Sequence, residues 1–302
     1  MSSFGKYCST GVRLQQPELL ENTFLGNHAG AMLSHVSATI AALVDLESYP
    51  LDQPGSAEWL ALVERCIADL DDRGMFELSG FLRPHVVART LDTLLPRMAD
   101  ESFEVRRTHN IYFLQHVEGL DPEHPALTKV LTANHTLCAD QLLDTALTDL
   151  YEWPEFRLFI AATVGIDELH LMSDPLARVN VLSYRPGQAL NWHFDRSEFT
   201  TTLLLQAADQ AGIFEYRREL RTETDPNYDG VGLLVAGDDP EVIRCAVEPG
   251  ALNVFRGRNT AHRVTTVEGD SERMIAVFSF YEQPGVMFTD EENLGFYGRT
   301  VA

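Results

Sequence analysis

The chain reads as an α+β protein: a mainly helical N-terminal part followed by short strands that close into a sandwich or barrel. Two observations carry this. Between residues 56 and 100, apolar side chains recur at three- and four-residue steps, the period of a helix with one buried face. After Asp174-Pro175 the pattern becomes alternation at every second position, in short runs separated by turn-formers.

Taken in order, residues 1–55 form an N-terminal arm and helix. Met1 to Asn27 lacks periodicity, whereas Ala31 to Leu46 has helical spacing through Leu33, Val36, Ile40, Leu43 and Val44. Pro50, Pro54 and Gly55 interrupt it. Residues 56–174 are expected to be a mainly helical region flanking a barrel. From Ser56 an amphipathic helix buries Trp59, Leu62, Val63, Cys66, Ile67 and Leu70, and Gly74 is placed to end it. Met75 to Leu78 alternates like a strand, and Pro84 opens a helix with a stripe of Val87, Leu91, Leu94, Leu95 and Met98. Residues 101–118, with Arg106, Arg107, His109 and His116, read either as a strand whose ends approach a site or as a solvated basic edge. Asn134 to Tyr151 and Pro154 to Val164 read as helices.

Residues 175–302 form the strand-rich core. Strands are expected at Arg178–Tyr184, Phe199–Leu205, Ile213–Tyr216, Ala251–Phe255, Arg263–Val267 and Met274–Tyr281. The stretch 221–245, with Pro226, Gly230, Gly232 and Gly237, is long for a turn and reads as a lid-like insertion or an idle acidic excursion.

Composition excludes several functions. With 45 acidic against 23 basic residues, the net charge of -22 repels nucleic acid and anionic lipid, so neither is expected as a partner. Hydrophobic residues at 45% supply a core for 302 residues. No run is long and apolar enough for a membrane helix, and the N-terminus does not read as a signal peptide. Cys8, Cys66, Cys138 and Cys245 are scattered, which fits a reduced cytoplasm. Residues 1–55 are apolar enough to serve as an interface in a homo-oligomer.

The chemistry gathers between Arg178 and Arg273. In Trp192-His193-Phe194-Asp195, an extended chain puts His193 and Asp195 on the same face. That pair is two thirds of a two-histidine, one-carboxylate site for Fe(II). The third ligand is expected from a later strand, and His262 sits in Thr260-Ala261-His262-Arg263-Val264-Thr265-Thr266, with Val264 and Thr266 on its side. Arg273 opens the last apolar run, where an arginine needs an anionic partner. Alternation puts Ile275, Val277, Ser279 and Tyr281 on its face.

The combination of Tyr184, Gly187, His193-x-Asp195, Pro249-Gly250, Phe255, His262-Arg263-Val264 and Arg273 resembles the Fe(II)/2-oxoglutarate-dependent oxygenases, particularly the branch shared with prolyl hydroxylases. The runs His109-Asn110-Ile111-Tyr112-Phe113, Trp192 to Phe199 and Phe214-Glu215-Tyr216 are similar to a group acting on free amino acids that includes radical halogenases. The resemblance implies a double-stranded β-helix, or jelly roll, and an enzyme using Fe(II), 2-oxoglutarate and dioxygen. It implies His193, Asp195 and His262 as metal ligands, and Arg273 as the grip on the far carboxylate of 2-oxoglutarate. Tyr184 is then either a hydrogen-bond donor to that cosubstrate or a core tyrosine. In the halogenases a small residue stands at the carboxylate position; aspartate here implies hydroxylation of a small polar molecule, a free amino acid or derivative. Arg196, Glu198, Arg218 and Ser279 are the candidate substrate contacts, with Arg217 beside them; a solvated edge is the expected role of Arg256, Arg258 and Arg263. The alternatives are the same cofactors with a desaturation, cyclisation or halogenation outcome, or a non-catalytic jelly-roll binding protein.

Overall fold

In the computed structural model the described residues are 40–301, so the expected N-terminal arm and most of the Ala31–Leu46 helix lie outside them; residues 40–43 are helical. Helix α1 (Ala57–Arg73) begins where the Ser56 hydroxyl accepts from the Trp59 N–H at 3.1 Å, and ends at Gly74, whose φ of 76° is left-handed. Its buried face is Trp59, Leu62, Val63, Cys66 and Leu70, while Ile67 is exposed. Strand β1 (Met75–Leu78) and helix α2 (Pro84–Asp100) follow as expected, although Leu95 of the expected stripe faces solvent.

Two strands then enter, the first within one of the two expected readings of its segment and the second where a helix was expected. Residues 101–118 begin with β2 (Phe103–His109), and β3 (Val130–Leu137) takes Asn134 to Leu137 out of the expected helix. Helix α3 starts only at Ala146 (Ala146–Glu152) and is followed by α4 (Pro154–Val164), opened by Pro154. After β4 (His170–Leu171) come β5 (Val179–Tyr184), β6 (Leu190–His193), β7 (Thr200–Gln206), β8 (Gln210–Ala211) and β9 (Phe214–Arg217). Helix α5 (Tyr228–Ala236), β10 (Ile243–Cys245), β11 (Leu252–Phe255), β12 (Ala261–Val264), β13 (Val267–Glu268), β14 (Arg273–Phe278), β15 (Phe280–Tyr281) and helix α6 (Asp290–Tyr297) complete the described chain.

The strands form a seven-stranded sheet, ordered β1-β11-β7-β14-β5-β3-β2, and a four-stranded sheet, ordered β10-β9-β12-β6. Their pairings are antiparallel. This is the expected α+β jelly roll. The major sheet crosses residue 175, however: β1, β2 and β3 come from the segment expected only to flank the barrel.

Period-2 alternation assigns the two faces of the major sheet. Val179, Val181, Leu203, Leu205, Val254, Met274 and Ala276 join the main core with residues of α1 to α4, so the helices cover the outer face. The alternate residues Asn180, Leu182, Tyr184, Thr202, Asn253, Arg273, Ile275 and Val277 line a cavity of about 860 Å³ between the sheets. The central strands β11, β7, β14 and β5 thus carry core on one side and site on the other.

The 221–245 insertion contains a helix. Asn227 caps α5, its side-chain oxygen accepting from the Gly230 N–H at 3.1 Å, and Val231 and Leu234 pack with Trp192 and Phe194. Of the 221–245 insertion, Arg221 lines the cavity and residues 222–245 do not. The C-terminal segment also contributes wall, with Phe288, Gly295, Phe296 and Tyr297 reaching the cavity. Buried Asp174 pins this segment, accepting from the Phe288 N–H at 3.2 Å and Asn293 Nδ2 at 2.9 Å. No helix among the described residues is long and apolar enough to cross a membrane.

Candidate active site

Strand β6 ends at His193 and runs beside the start of β12, so His193 and His262 stand opposite each other in the antiparallel pair. Their ring centroids are 4.1 Å apart. Asp195, two residues beyond His193, is held by a bond from its N–H to the Gly257 carbonyl at 3.0 Å. His193 Nε2 lies 3.5 Å from Asp195 Oδ1, and His262 Nε2 lies 3.5 Å from Asp195 Oδ2. The donor atoms of all three residues fall within 4.8 Å of one another.

The backbone fixes which imidazole nitrogen is available. His193 Nδ1 contacts the Asn191 carbonyl at 2.9 Å, and His262 Nδ1 contacts that of Thr260 at 3.0 Å. A carbonyl only accepts, so each Nδ1 carries the proton, and the neutral rings turn their Nε2 lone pairs toward Asp195. Two such nitrogens and a carboxylate form a donor set suited to a divalent first-row metal. Without one, burial and the neighbouring His262 hold His193 below the ordinary histidine range. Burial opposes a charge on His262 too, but the Asp195 carboxylate outweighs it and raises that imidazole. Burial likewise opposes ionisation of Asp195, and the two imidazoles override it, holding its carboxyl well below the usual range.

Two neighbours absent from the sequence reading shape this carboxylate. The Thr200 hydroxyl donates to Asp195 Oδ2 at 2.6 Å. Gly257 lies flat against Asp195: a Cβ there would come within 2.2 Å of Oδ2 and 2.8 Å of the aspartate Cβ. Substituting Gly257→Ala is therefore expected to push the carboxylate out of line and weaken metal binding about 10–100-fold, as loss of groups that orient a ligand does. Competition against a chelator measures it, and an unchanged affinity would contradict the geometry. Thr200→Val removes one charge-assisted bond and should cost roughly tenfold by the same assay.

Arg273 begins β14 opposite Tyr184 on β5. It is 4% exposed, forms no ion pair among the described residues, and its Nη1 has no hydrogen-bond partner there. Burial pulls the guanidinium down to about 10. Such a cation is costly unless an anion completes it. Tyr184 is fully buried beside it and lines the same cavity; burial raises its hydroxyl, as does Asp195, while Arg273 opposes the shift. Tyr184 therefore shares the cavity with both the unpartnered cation and the triad.

The expected substrate contacts divide. Ser279 lines the cavity, as do Ile275, Val277 and Tyr281 on the same face. Arg196 reaches it but pairs with Glu292 on α6 at 2.6 Å. Glu198 and Arg218 do not line it: Glu198 faces Arg258 at 3.5 Å, and Arg218 donates to the Asp71 carbonyl at 3.1 Å. Arg217 is bound to Asp239 and Glu241, and Arg263 to Glu215. Arg256 pairs with Asp71, and Arg258 lines the cavity with a side chain that remains partly exposed.

Residues 109–113 do reach the site. Asn110 Oδ1 accepts from the Tyr112 and Leu114 N–H groups, forming a tight turn that carries Phe113 at a φ of 57°. The Phe113 ring stacks on buried His109 at 4.3 Å and meets His193 edge-on at 6.4 Å. A phenylalanine in left-handed backbone is strained and persists where its surroundings over-determine it.

No protein-family profile and no curated protein matches the chain. Solved structures do. The non-heme alpha ketoglutarate dependent epimerase SnoN from nogalamycin biosynthesis is 14% identical, with 74% of this chain and 83% of that one covered at a TM-score of 0.51. AviO1 from Streptomyces viridochromogenes Tue57 is 17% identical over 74% of this chain and 96% of its own, at 0.50. A 2OG-Fe(II) oxygenase family oxidoreductase from Burkholderia pseudomallei is 17% identical over 78% and 94%, at 0.48. At these identities the likeness is one of fold: the chain has the jelly roll of SnoN and AviO1.

Proposed function

We propose that this protein is an Fe(II)/2-oxoglutarate-dependent oxygenase that hydroxylates a small polar substrate, an amino acid or a derivative of one. The observation that carries the reading is a single cavity holding both the His193–Asp195–His262 donor set and a buried, unpartnered Arg273. One end suits a ferrous ion and the other a carboxylate. Iron with 2-oxoglutarate and dioxygen would supply the oxidation of an unactivated C–H bond. SnoN, which shares the fold, is described as non-heme and alpha ketoglutarate dependent.

In this reading the chain's own groups have separate tasks. His193, Asp195 and His262 hold the metal, and the Asn191 and Thr260 carbonyls keep the imidazoles turned toward it. Arg273 binds the far carboxylate of the diacid through a charge-assisted fork, and Tyr184, lining the same cavity, donates a hydrogen bond to the diacid. Phe113, Phe288 and Phe296 form apolar wall on the substrate side. Asp195 supplies a third protein ligand where the resembling halogenases carry a small residue, which favours transfer of oxygen over transfer of halide.

The test is a panel of amino acids and their derivatives, read by succinate release and product mass. One member that stimulates succinate release and gains a single oxygen supports the reading. A chlorinated product in the presence of chloride would overturn the argument from Asp195. Silence across the panel, with no uptake of iron, would favour a binding protein.

A further inference from the structure

Apart from the metal-site carboxylate, the charged groups lining the cavity are all arginines. Asp195 is the one carboxylate among its lining residues, whereas Arg107, Arg196, Arg221 and Arg258 line it in addition to Arg273. In a chain with a net charge of -22 this is a local reversal. Arg196 is taken by Glu292, and Arg258 lies between Glu198 at 3.5 Å and Glu223 at 3.8 Å. Arg107 and Arg221 pair with no carboxylate among the described residues, and each guanidinium lies on an aromatic ring: Arg107 at 4.7 Å over Phe113, Arg221 at 3.9 Å over Phe194.

Arg221 is the better-built of the two. Its Nε and Nη2 both donate to the Arg258 carbonyl, at 2.9 and 2.7 Å, which locks the plane of the fork. Phe194 beneath it stands between His193 and Asp195, so the cation is referenced to the metal strand itself. The guanidinium is half-buried, and burial lowers its proton affinity. Arg107, by contrast, is exposed. A fixed, partly desolvated arginine that keeps N–H groups free is preorganised for an anion, since little conformational freedom remains to be lost on binding.

Resting on the oxygenase reading, we propose that Arg221 grips an anionic oxygen group of the substrate, a carboxylate or a phosphate ester, and so selects which small molecules enter. The bound group would take the N–H groups of Arg221 that the Arg258 carbonyl leaves free, with Arg107 adding charge from the Phe113 side. Glu198 and Arg218, the contacts expected from sequence, take no part.

The test uses the full-length protein with ferrous iron and 2-oxoglutarate. Amino acids, N-acetyl amino acids and dicarboxylates are compared with their carboxamides and with phosphate esters of matched size. Binding is read anaerobically by perturbation of the ferrous visible band, and turnover by succinate release. The expected result is that the acids or the phosphate esters perturb the band and each neutral carboxamide binds at least tenfold more weakly; which anion is preferred identifies the source. With the best anion, Arg221→Gln should raise KM roughly 10–100-fold with a smaller change in kcat, and Arg221→Lys should recover part of it. A melting curve reports whether each variant folds, and the acid-against-amide comparison on unaltered protein stands whether or not they do. Carboxamides equal to their acids, or an Arg221→Gln variant with unchanged KM, would overturn the proposal while leaving the oxygenase reading intact. A protein that shows no ferrous 2-oxoglutarate band at all would overturn both.

Discussion

Substituting Arg273→Met is expected to make the protein more stable in the absence of cofactors and unable to hold 2-oxoglutarate. The two effects have one cause. Arg273 is 4% exposed, and its Nη1 has no partner among the described residues, so the fold carries a buried donor whose desolvation nothing repays. Removing such a group returns about 1–3 kcal/mol. Methionine follows the same unbranched stem and fills the space with polarizable, apolar atoms. In a domain of this size each kcal/mol moves the melting temperature by roughly 2–4 °C, so the cofactor-free variant should melt several degrees higher. With the charge gone, the far carboxylate of 2-oxoglutarate loses a forked, charge-assisted pair, and its affinity should fall about 100-fold or more. The addition of 2-oxoglutarate and iron should stabilise the parent protein and leave the variant nearly unmoved. A destabilised variant that still binds 2-oxoglutarate with full affinity would show that Arg273 is an ordinary core arginine.

The second large effect is on metal content. His262→Ala removes one of three donors and leaves His193 and Asp195 alone in a pocket built around both rings. Iron retained after desalting should drop from near one equivalent to below about a tenth, since a donor contributes more than the 10–100-fold attributed to groups that only orient it. His85→Ala, an exposed histidine on α2, should retain iron fully and so controls for adventitious binding to imidazoles. Equal iron content in the two variants would place the metal elsewhere.

How much of this was legible in the sequence depended on which physical constraint each residue serves. His193, Asp195, His262 and Arg273 could be found because a metal donor set and an anion grip each restrict residue type while a strand restricts spacing, and these restrictions survive without neighbours. The strands after Asp174 were legible for a related reason: one face packs on helices, so Val179, Val181, Leu203 and Leu205 alternate cleanly with residues of the cavity. Strand β3 was harder to see. Leu131, Ala133 and Leu137 alternate with Thr132, Asn134 and Thr136 of the cavity face, but His135 breaks the apolar series, and Asn134 to Leu137 passed for the start of a helix. Edge strand β2 satisfies both readings of its segment, a strand that also presents a charged edge, with Glu104, Arg106 and Arg107 discouraging further pairing.

Contacts across the fold were the least accessible. Glu198 and Arg218 flank the right strands, but flanking does not say which counter-charge is within reach, and Arg258 and the Asp71 carbonyl claimed them. Gly257 carries no pattern at all; its role exists only because Asp195 comes to lie on it. The wall supplied by α6 did leave a signal. Thr289-Asp290-Glu291-Glu292 is a capping box, with the Thr289 hydroxyl accepting from the Glu292 N–H and Glu292 reaching back to the Thr289 N–H. That box marks the helix start, though not the cavity behind it.

The most direct test of the central claim is an anaerobic titration of the metal-free protein with ferrous iron and then 2-oxoglutarate, followed by visible absorption. A diacid chelating iron held by His193, Asp195 and His262 should produce a weak charge-transfer band that saturates at one equivalent of each component. A spectrum that stays flat while both components remain in the flow-through of a desalting column would contradict the account.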